Sequence, residues 1–277
     1  MKGFTKVLFN FILPVVIIIV LFSNNFLYGL AALLLFLAYL LYTGRASLCT
    51  FIGGIRYSAG RTEEALKWFK RGYETQKAGV RSTVSYGYLL LKTGNVEESG
   101  LVLDKLLKGQ LRREDELYAK SNLALVYWKK GELDAAVSTL QEVIQEYKTS
   151  SIYGSLGYLL ILKGDLDKAL EFNLEASDYN SSNTVILDNL GQTYYLRGEL
   201  DKSRETFETL LAKNPGFPEA YYNYALVLVK LDQREKAAEM LKKARGSKFS
   251  FLSDITKDIV EAKLAEVEAG LGAGPEI

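Results

Sequence analysis

Two hydrophobic patterns divide the chain. From Val7 to Tyr42 no side chain carries a charge, and apolar residues fall on every helical face. Ser23-Asn24-Asn25 breaks the stretch once, leaving the runs Val7–Phe22 and Phe26–Tyr42. A helix that is apolar all round offers water no face, so it suits a bilayer or a protein interior. At about 1.5 Å per residue a span needs roughly 17–25 residues. Each run reaches that lower limit with its flanks, which predicts spans at about 4–22 and 26–43. The short polar break predicts an antiparallel hairpin over residues 1–45, with Pro14 kinking its first helix. A cleaved signal peptide and a re-entrant hairpin stay open as alternatives, although no A-x-A-like site follows Phe22.

From residue 46 the pattern turns amphipathic and repeats. Gly60, Gly94, Gly131, Gly164 and Gly198 recur at intervals of 34, 37, 33 and 34, and Asp232 follows after another 34. The surrounding segments read alike: KTGNVEES, KKGELDAA, LKGDLDKA and LRGELDKS. Each is a helix end, a left-handed turn and a new helix start, with acidic residues where the next helix dipole is positive. Five residues after the turns sit Ala65, Ser99, Ala136, Ala169, Ser203 and Ala237. Seven residues before them sit Gly53, Gly87, Ala124, Gly157, Gly191 and Ala225. Small side chains at both places let two antiparallel helices approach closely. Nine residues after the turn a large apolar residue recurs (Phe69, Leu103, Leu140, Phe207, Leu241), and Asn173 breaks the series. Beyond Gly246, Phe251, Leu252, Ile255, Ile259, Val260, Leu264 and Val267 have helical spacing, predicting a helix over about 250–269. A flexible Gly-rich tail is expected over 270–277.

This register resembles the tetratricopeptide repeat (TPR) family over about residues 46–246. The resemblance implies an all-α fold: a right-handed superhelix of about six helix-turn-helix repeats. The helix at 250–269 would cap it, giving a solenoid over 46–269 preceded by the two transmembrane helices. Some family features are missing, since the proline that often ends a second helix occurs only as Pro215. An insertion near Lys108–Arg113 separates repeats two and three.

The resemblance also implies that the first helix of each pair lines a concave groove. The inward residues would include Tyr88 and Leu91, then Asn122, Leu125 and Trp128, then Tyr158. Asp188, Asn189, Gln192 and Tyr195 follow, and Tyr222, Asn223 and Leu226 complete the set. Asn122, Asn189 and Asn223 share one repeat position, where an amide can hold an extended peptide backbone. Repeat consensus, with local bonding only, is the other reading of these three. Some TPR domains clamp a C-terminal carboxylate with lysines. Here the matching positions hold Thr50, Val84, Ser121, Gly154, Asp188 and Tyr222, so the resemblance does not extend to that ligand.

Charge sharpens the picture. The chain has 34 Lys+Arg and 33 Asp+Glu, a net charge of +1. Lys2, Lys6 and Arg45 are the only charges in residues 1–45, so the remainder holds 31 basic and 33 acidic residues, net −2. Basic residues flank the hairpin's outer ends and none lies in its loop, which places both termini in the cytoplasm. There is no histidine, and Cys49 is the single cysteine. Imidazole catalysis, His-ligated zinc and disulfides are excluded. Cys49 reads as a small buried thiol or a juxtamembrane acylation site. The balanced charge gives no basis for nucleic-acid binding, and no phosphate-binding or metal-ligand motif occurs. The expectation is a non-enzymatic, cofactor-free, metal-free adaptor without a small-molecule substrate. Its partners would be a protein or peptide in the groove and a membrane around the hairpin. The alternative is a structural or assembly subunit of a larger membrane complex, its groove permanently occupied.

Overall fold

The computed structural model describes Thr5 and residues 7–272, all in helices, turns and short connections. A π-helical turn at Leu8–Ile12 precedes α1 (Leu13–Asn24) and α2 (Phe26–Ser58). The helices α3 (Thr62–Glu74), α4 (Val80–Lys92), α5 (Val96–Leu107), α6 (Arg113–Lys129) and α7 (Leu133–Glu146) follow. Next come α8 (Ser150–Lys163), α9 (Leu166–Tyr179), α10 (Thr184–Leu196), α11 (Leu200–Leu211) and α12 (Pro218–Lys230). The last are α13 (Arg234–Gly246) and α14 (Lys257–Gly272). These residues form two compact units, which divide at Thr83/Val84.

In the first unit α1 packs along α2, and α2 along α3. Pro14 has no N–H to donate and its ring crowds the preceding turn. The backbone answers with the wide π turn at Leu8–Ile12. Asn25 is extended and its Oδ1 accepts from the N–H groups of Leu27 and Tyr28, so it ends one helix and caps the next. Of the two expected spans, only α2 is long and apolar enough to cross a membrane among the described residues; Leu8–Asn24 is shorter. The most apolar window of α2 has mean hydropathy 2.0 and is 6% buried. Phe4 and Lys6 of the first expected span lie outside the described residues. No break falls at residue 45. The helix continues to Ser58, so its end is the first helix of the first repeat. There Gly53 lies under the Phe69 ring, and half-buried Cys49 faces Gly72.

The turn series is realised in the backbone. Gly60, Gly94, Gly131, Gly164 and Gly198 have φ between 75° and 86°, and Asp232 takes 57° in the same role. A non-glycine residue pays a steric cost there, which Asp tolerates better than most. The acidic residues after the turns act mostly through the helix dipole. Asp165 caps with its side chain, accepting from the Lys168 N–H, whereas Asn95, Glu132 and Glu199 make no such bond.

In the second unit the small positions are the points of closest approach. Ala136, Ala169, Ala225 and Ala237 have no exposed surface. Ser99 and Ser203 donate at 2.7 Å to the carbonyls of Gly87 and Gly191, so a hydroxyl at the small position pins its opposite glycine. Leu103 and Phe207 lie directly over those glycines. Burying such a side chain is worth roughly 1.5–3 kcal/mol. Successive pairs are cross-tied by an exposed ionic ladder: Lys130–Glu97 at 2.8 Å, Lys163–Asp134 at 2.7 Å, and Arg197–Asp167. Each joins the residue before one turn to the third residue after the preceding turn. The insertion between repeats two and three becomes a longer connection and a 17-residue α6.

Asn173 sits where the other repeats place a large apolar residue. It is fully buried, and its amide donates to Thr193 Oγ1 at 3.1 Å while its Oδ1 has no partner among the described residues. The C-terminal helix differs from the expected 250–269. Ser250 and Ser253 accept from the backbone N–H groups of Leu252 and Ile255, holding turns that compete with helix formation, and Thr256 caps the helix by accepting from the Ile259 N–H. The helix therefore starts at Lys257. It buries Val260, Leu264 and Val267 against the last repeat and runs through Gly270 to Gly272. The remainder of the expected tail, 273–277, lies outside the described residues.

Two substitutions test this packing with opposite signs. An ideal Cβ at Gly191 meets the Phe207 ring at 2.8 Å. Gly191→Val is expected to cost about 1–3 kcal/mol. Asn173→Leu restores the repeat's usual side chain, removes an unpaired buried carbonyl and is expected to gain about 1 kcal/mol. Urea midpoints of the full chain in detergent micelles, read by helical circular dichroism, give both signs. A neutral Gly191→Val would contradict the close approach.

Candidate functional site

A groove of about 790 Å³ opens in the second unit. The first helices α6, α8 and α10 supply its floor, because consecutive repeats present residues of the same helical face. Of the residues predicted from sequence, Tyr88, Asn122, Leu125, Trp128, Tyr158, Asp188 and Asn189 line it. Asn122, Leu125 and Trp128 follow one another at intervals of three along α6, and all three are half-buried. The Trp128 and Tyr158 rings meet edge to face, centroids 5.5 Å apart, joining repeats three and four across the floor.

The other predicted residues lie elsewhere. Leu91 is 1% exposed and belongs to the interior. Tyr195 and Tyr222 pack against the cluster that contains Val260, Leu264 and Val267 of α14, so the last helix covers that end of the concave side. Lys263 and Glu266 of α14 act on the Tyr222 hydroxyl, whose ionisation burial pushes upward. Gln192 and Leu226 are half-buried and outside the groove lining.

The shared asparagine position is already engaged. Asn189 donates to the Gly154 carbonyl at 2.7 Å, one repeat earlier. Asn223 donates to Asp188 Oδ1 at 3.1 Å, again one repeat earlier. Asn122 donates to the Tyr118 carbonyl of its own helix at 2.9 Å. Two of the three thus tie neighbouring repeats together. Thr193 extends this polar seam, donating to the Asn189 carbonyl at 2.7 Å while accepting from Asn173.

Sequence reasoning missed Lys92, Glu219, Lys248 and Asp254 of the groove lining, and Lys129, which bonds Asp254. Lys92 and Lys129 occupy the same place, two residues before the turn glycine. The Lys129 ammonium lies 3.9 Å from the Trp128 ring centroid, a cation–π distance. Glu219 and Asp188 bring negative charge to the other end. The Lys shared by positions 92, 129 and 230 was the available signal. More unexpected is a wall built by the connection between α13 and α14: Lys248, Ser250, Leu252, Ser253 and Asp254 line the groove. Asp254 accepts from the Tyr158 hydroxyl at 2.6 Å and from Lys129 Nζ at 2.9 Å.

Asp188 is the groove's titrating group. Burial pushes its carboxyl up to about 7, Glu219 adds to the rise, and the Asn223 amide pulls the other way. From about pH 4 to pH 7 the folded chain holds a proton that the unfolded chain has released. Stability from this group is therefore present at low pH and lost as pH rises through 7. Asp188→Asn keeps the acceptor for Asn223 and removes the charge. We expect the variant to melt on the order of 4 °C higher than wild type at pH 8, with the difference shrinking steadily as the pH is lowered from 7 toward 4. A difference that does not change with pH would remove Asp188 as the cause.

Comparison with known proteins follows the geometry. Residues 121–182 and 194–249 match two family models, each described as tetratricopeptide repeat. A TPR repeat-containing protein of Methanocaldococcus jannaschii is 29% identical over 157 residues, 56% of this chain and 27% of that protein. A TPR repeat-containing protein of Bacillus subtilis is 29% identical over 153 residues, 53% of this chain and 32% of that protein. The chain spans about a third or less of the length of these relatives. The crystal structure of a tetratricopeptide repeat protein from Parabacteroides merdae superposes with TM-score 0.64 at 14% identity, over 91% of this chain and 98% of that one. That likeness establishes the fold alone. The chain carries tetratricopeptide repeats, and its described residues form the paired-helix fold such repeats build.

Proposed function

We propose that the chain is a membrane-anchored, non-catalytic TPR scaffold whose groove holds a segment of a protein partner. The observation that carries the anchor is α2. Its residues from Phe26 to Gly44 hold no charge and stay largely unburied, and the same helix runs unbroken into the first repeat. Those residues would measure roughly 28 Å, close to the hydrocarbon thickness of a bilayer. Leu27, Leu34, Leu35 and Leu41 would otherwise meet water at 58–72% exposure. In this reading α1 packs beside α2 as the second arm of a hairpin. The basic residues beyond its arms hold both ends on the cytoplasmic face. The groove supplies the binding half: aromatic faces from Trp128, Tyr158 and Tyr88, with opposite charges at its two ends.

Two measurements test the two halves. Protease added to intact cells should leave the repeats uncut and should degrade them after lysis; digestion in intact cells would overturn the topology. Photo-crosslinking in native membranes should give partner adducts that Trp128→Ala/Tyr158→Ala reduces at least about tenfold, the loss of two aromatic anchors. Unchanged adducts would move the binding surface off the groove. A partner that stays at fixed stoichiometry through detergent purification would mark the chain as a complex subunit.

A further inference from the structure

The connection Ser247–Thr256 is a strap that forms one wall of the groove through Lys248, Ser250, Leu252, Ser253 and Asp254, and nothing about joining two helices requires that path. Elsewhere in this unit, helices of a pair and successive pairs are joined by shorter connections, such as Tyr147–Thr149 and Asn180–Asn183. This one instead reaches residues far away in sequence. Asp254 is held by Lys129 and Tyr158, 125 and 96 positions away. Phe251 lies 5.6 Å from the Lys129 ammonium and reaches Gly94 in the second repeat. A turn closed by the Ser253 N–H on the Ser250 carbonyl sets Phe251 and Asp254 at their spacing. Both side chains are 45% exposed, so neither is sealed into the core.

We infer that Ser247–Thr256 is a built-in occupant of the Lys129–Tyr158 site at the groove wall, competing with a partner segment of the same chemistry: an aromatic residue with a carboxylate three positions on. The inference rests on the groove reading above and specifies its ligand. Lys129 is the reader at the centre. Its ammonium meets the carboxylate while its stem and charge lie against Trp128, and the Tyr158 hydroxyl adds a second donor to the same carboxylate. An apolar side chain at the position of Phe251 then covers the cation from the other side. A partner lacking the carboxylate leaves Lys129 and Tyr158 facing an unmatched site, which is how a groove of this kind discriminates.

The test uses the full chain in mild detergent and, as probe, a fluorescent peptide of residues 247–256. Phe251→Ala/Asp254→Ala releases the built-in copy, whose effective concentration on a short tether is on the order of millimolar. The released chain is expected to bind the probe at least tenfold tighter than wild type. Adding Lys129→Met should abolish that gain, and a probe carrying the same two alanines should not bind. Asp254→Asn, which keeps the side-chain shape, gives the same reading if the double variant unfolds. Equal probe affinity for folded wild-type and released chains overturns the inference, as does binding indifferent to Lys129→Met. A released chain that ignores the probe yet still forms Trp128-dependent membrane adducts overturns the inference alone. Loss of the Trp128 dependence as well overturns the groove reading with it.

Discussion

Everything in the repeat region depends on how closely two antiparallel helices can approach. In each pair a small side chain seven residues before the turn meets a small one five residues after it. The residue nine after the turn folds over the first. The left-handed turn fixes the register that brings these three together. The contact is dense, and a protein interior at crystalline density does not accommodate an added methylene without moving something. Once the pair is fixed, its outward face is fixed too, so every first helix presents the same positions to its neighbour and to the groove. The groove is a consequence of the helix approach and needs no separate design.

The constraint explains what could be read from sequence. Periodic features were legible because every repeat states them again: the glycine turns, the small pairs, the overlying large residue and the first-helix face. Trp128, Tyr158, Asn122, Leu125 and Tyr88 were found in the groove for that reason. Leu91 was misplaced because one helical position of rotation separates a lining side chain from a buried one. The strap was not legible. Phe251, Leu252 and Ile255 carry a helical spacing, whereas the hydroxyls of Ser250, Ser253 and Thr256 decide the backbone through local bonds. Its pairing with Lys129 and Tyr158, 125 and 96 positions away, leaves no periodic trace. The first expected span, 4–22, corresponds among the described residues to the apolar helix Leu8–Asn24, which is shorter than α2.

Asn173 and Asp188 show where the repeat departs from its own rule. A hydrophobic residue at position 173 would seal the fourth pair as Phe207 seals the fifth. Instead a polar seam runs from Asn173 through Thr193 and Asn189 to the Gly154 carbonyl. Asn223 and Asp188 form the next such tie. Buried polar groups add directional constraints that apolar contacts lack, and half-satisfied ones cost stability. Gly154, Asp188 and Asn189 of this seam also line the groove, so the seam fixes the spacing between first helices at the groove itself.

If the chain is anchored and the strap fills its own site, as proposed above, the two act on the same equilibrium. A strap tethered by a few residues competes at an effective concentration on the order of millimolar, which a freely diffusing protein at micromolar abundance does not match with one weak segment. Confinement to a membrane changes the comparison, because two anchored proteins share a thin layer instead of the whole cell volume. A partner in the same bilayer presents its aromatic-and-carboxylate segment at a concentration that rivals the tether. The two features together favour membrane-confined partners over soluble ones with identical sequence motifs. The selectivity comes from concentration, while Lys129, Trp128 and Tyr158 supply only the chemistry of the match.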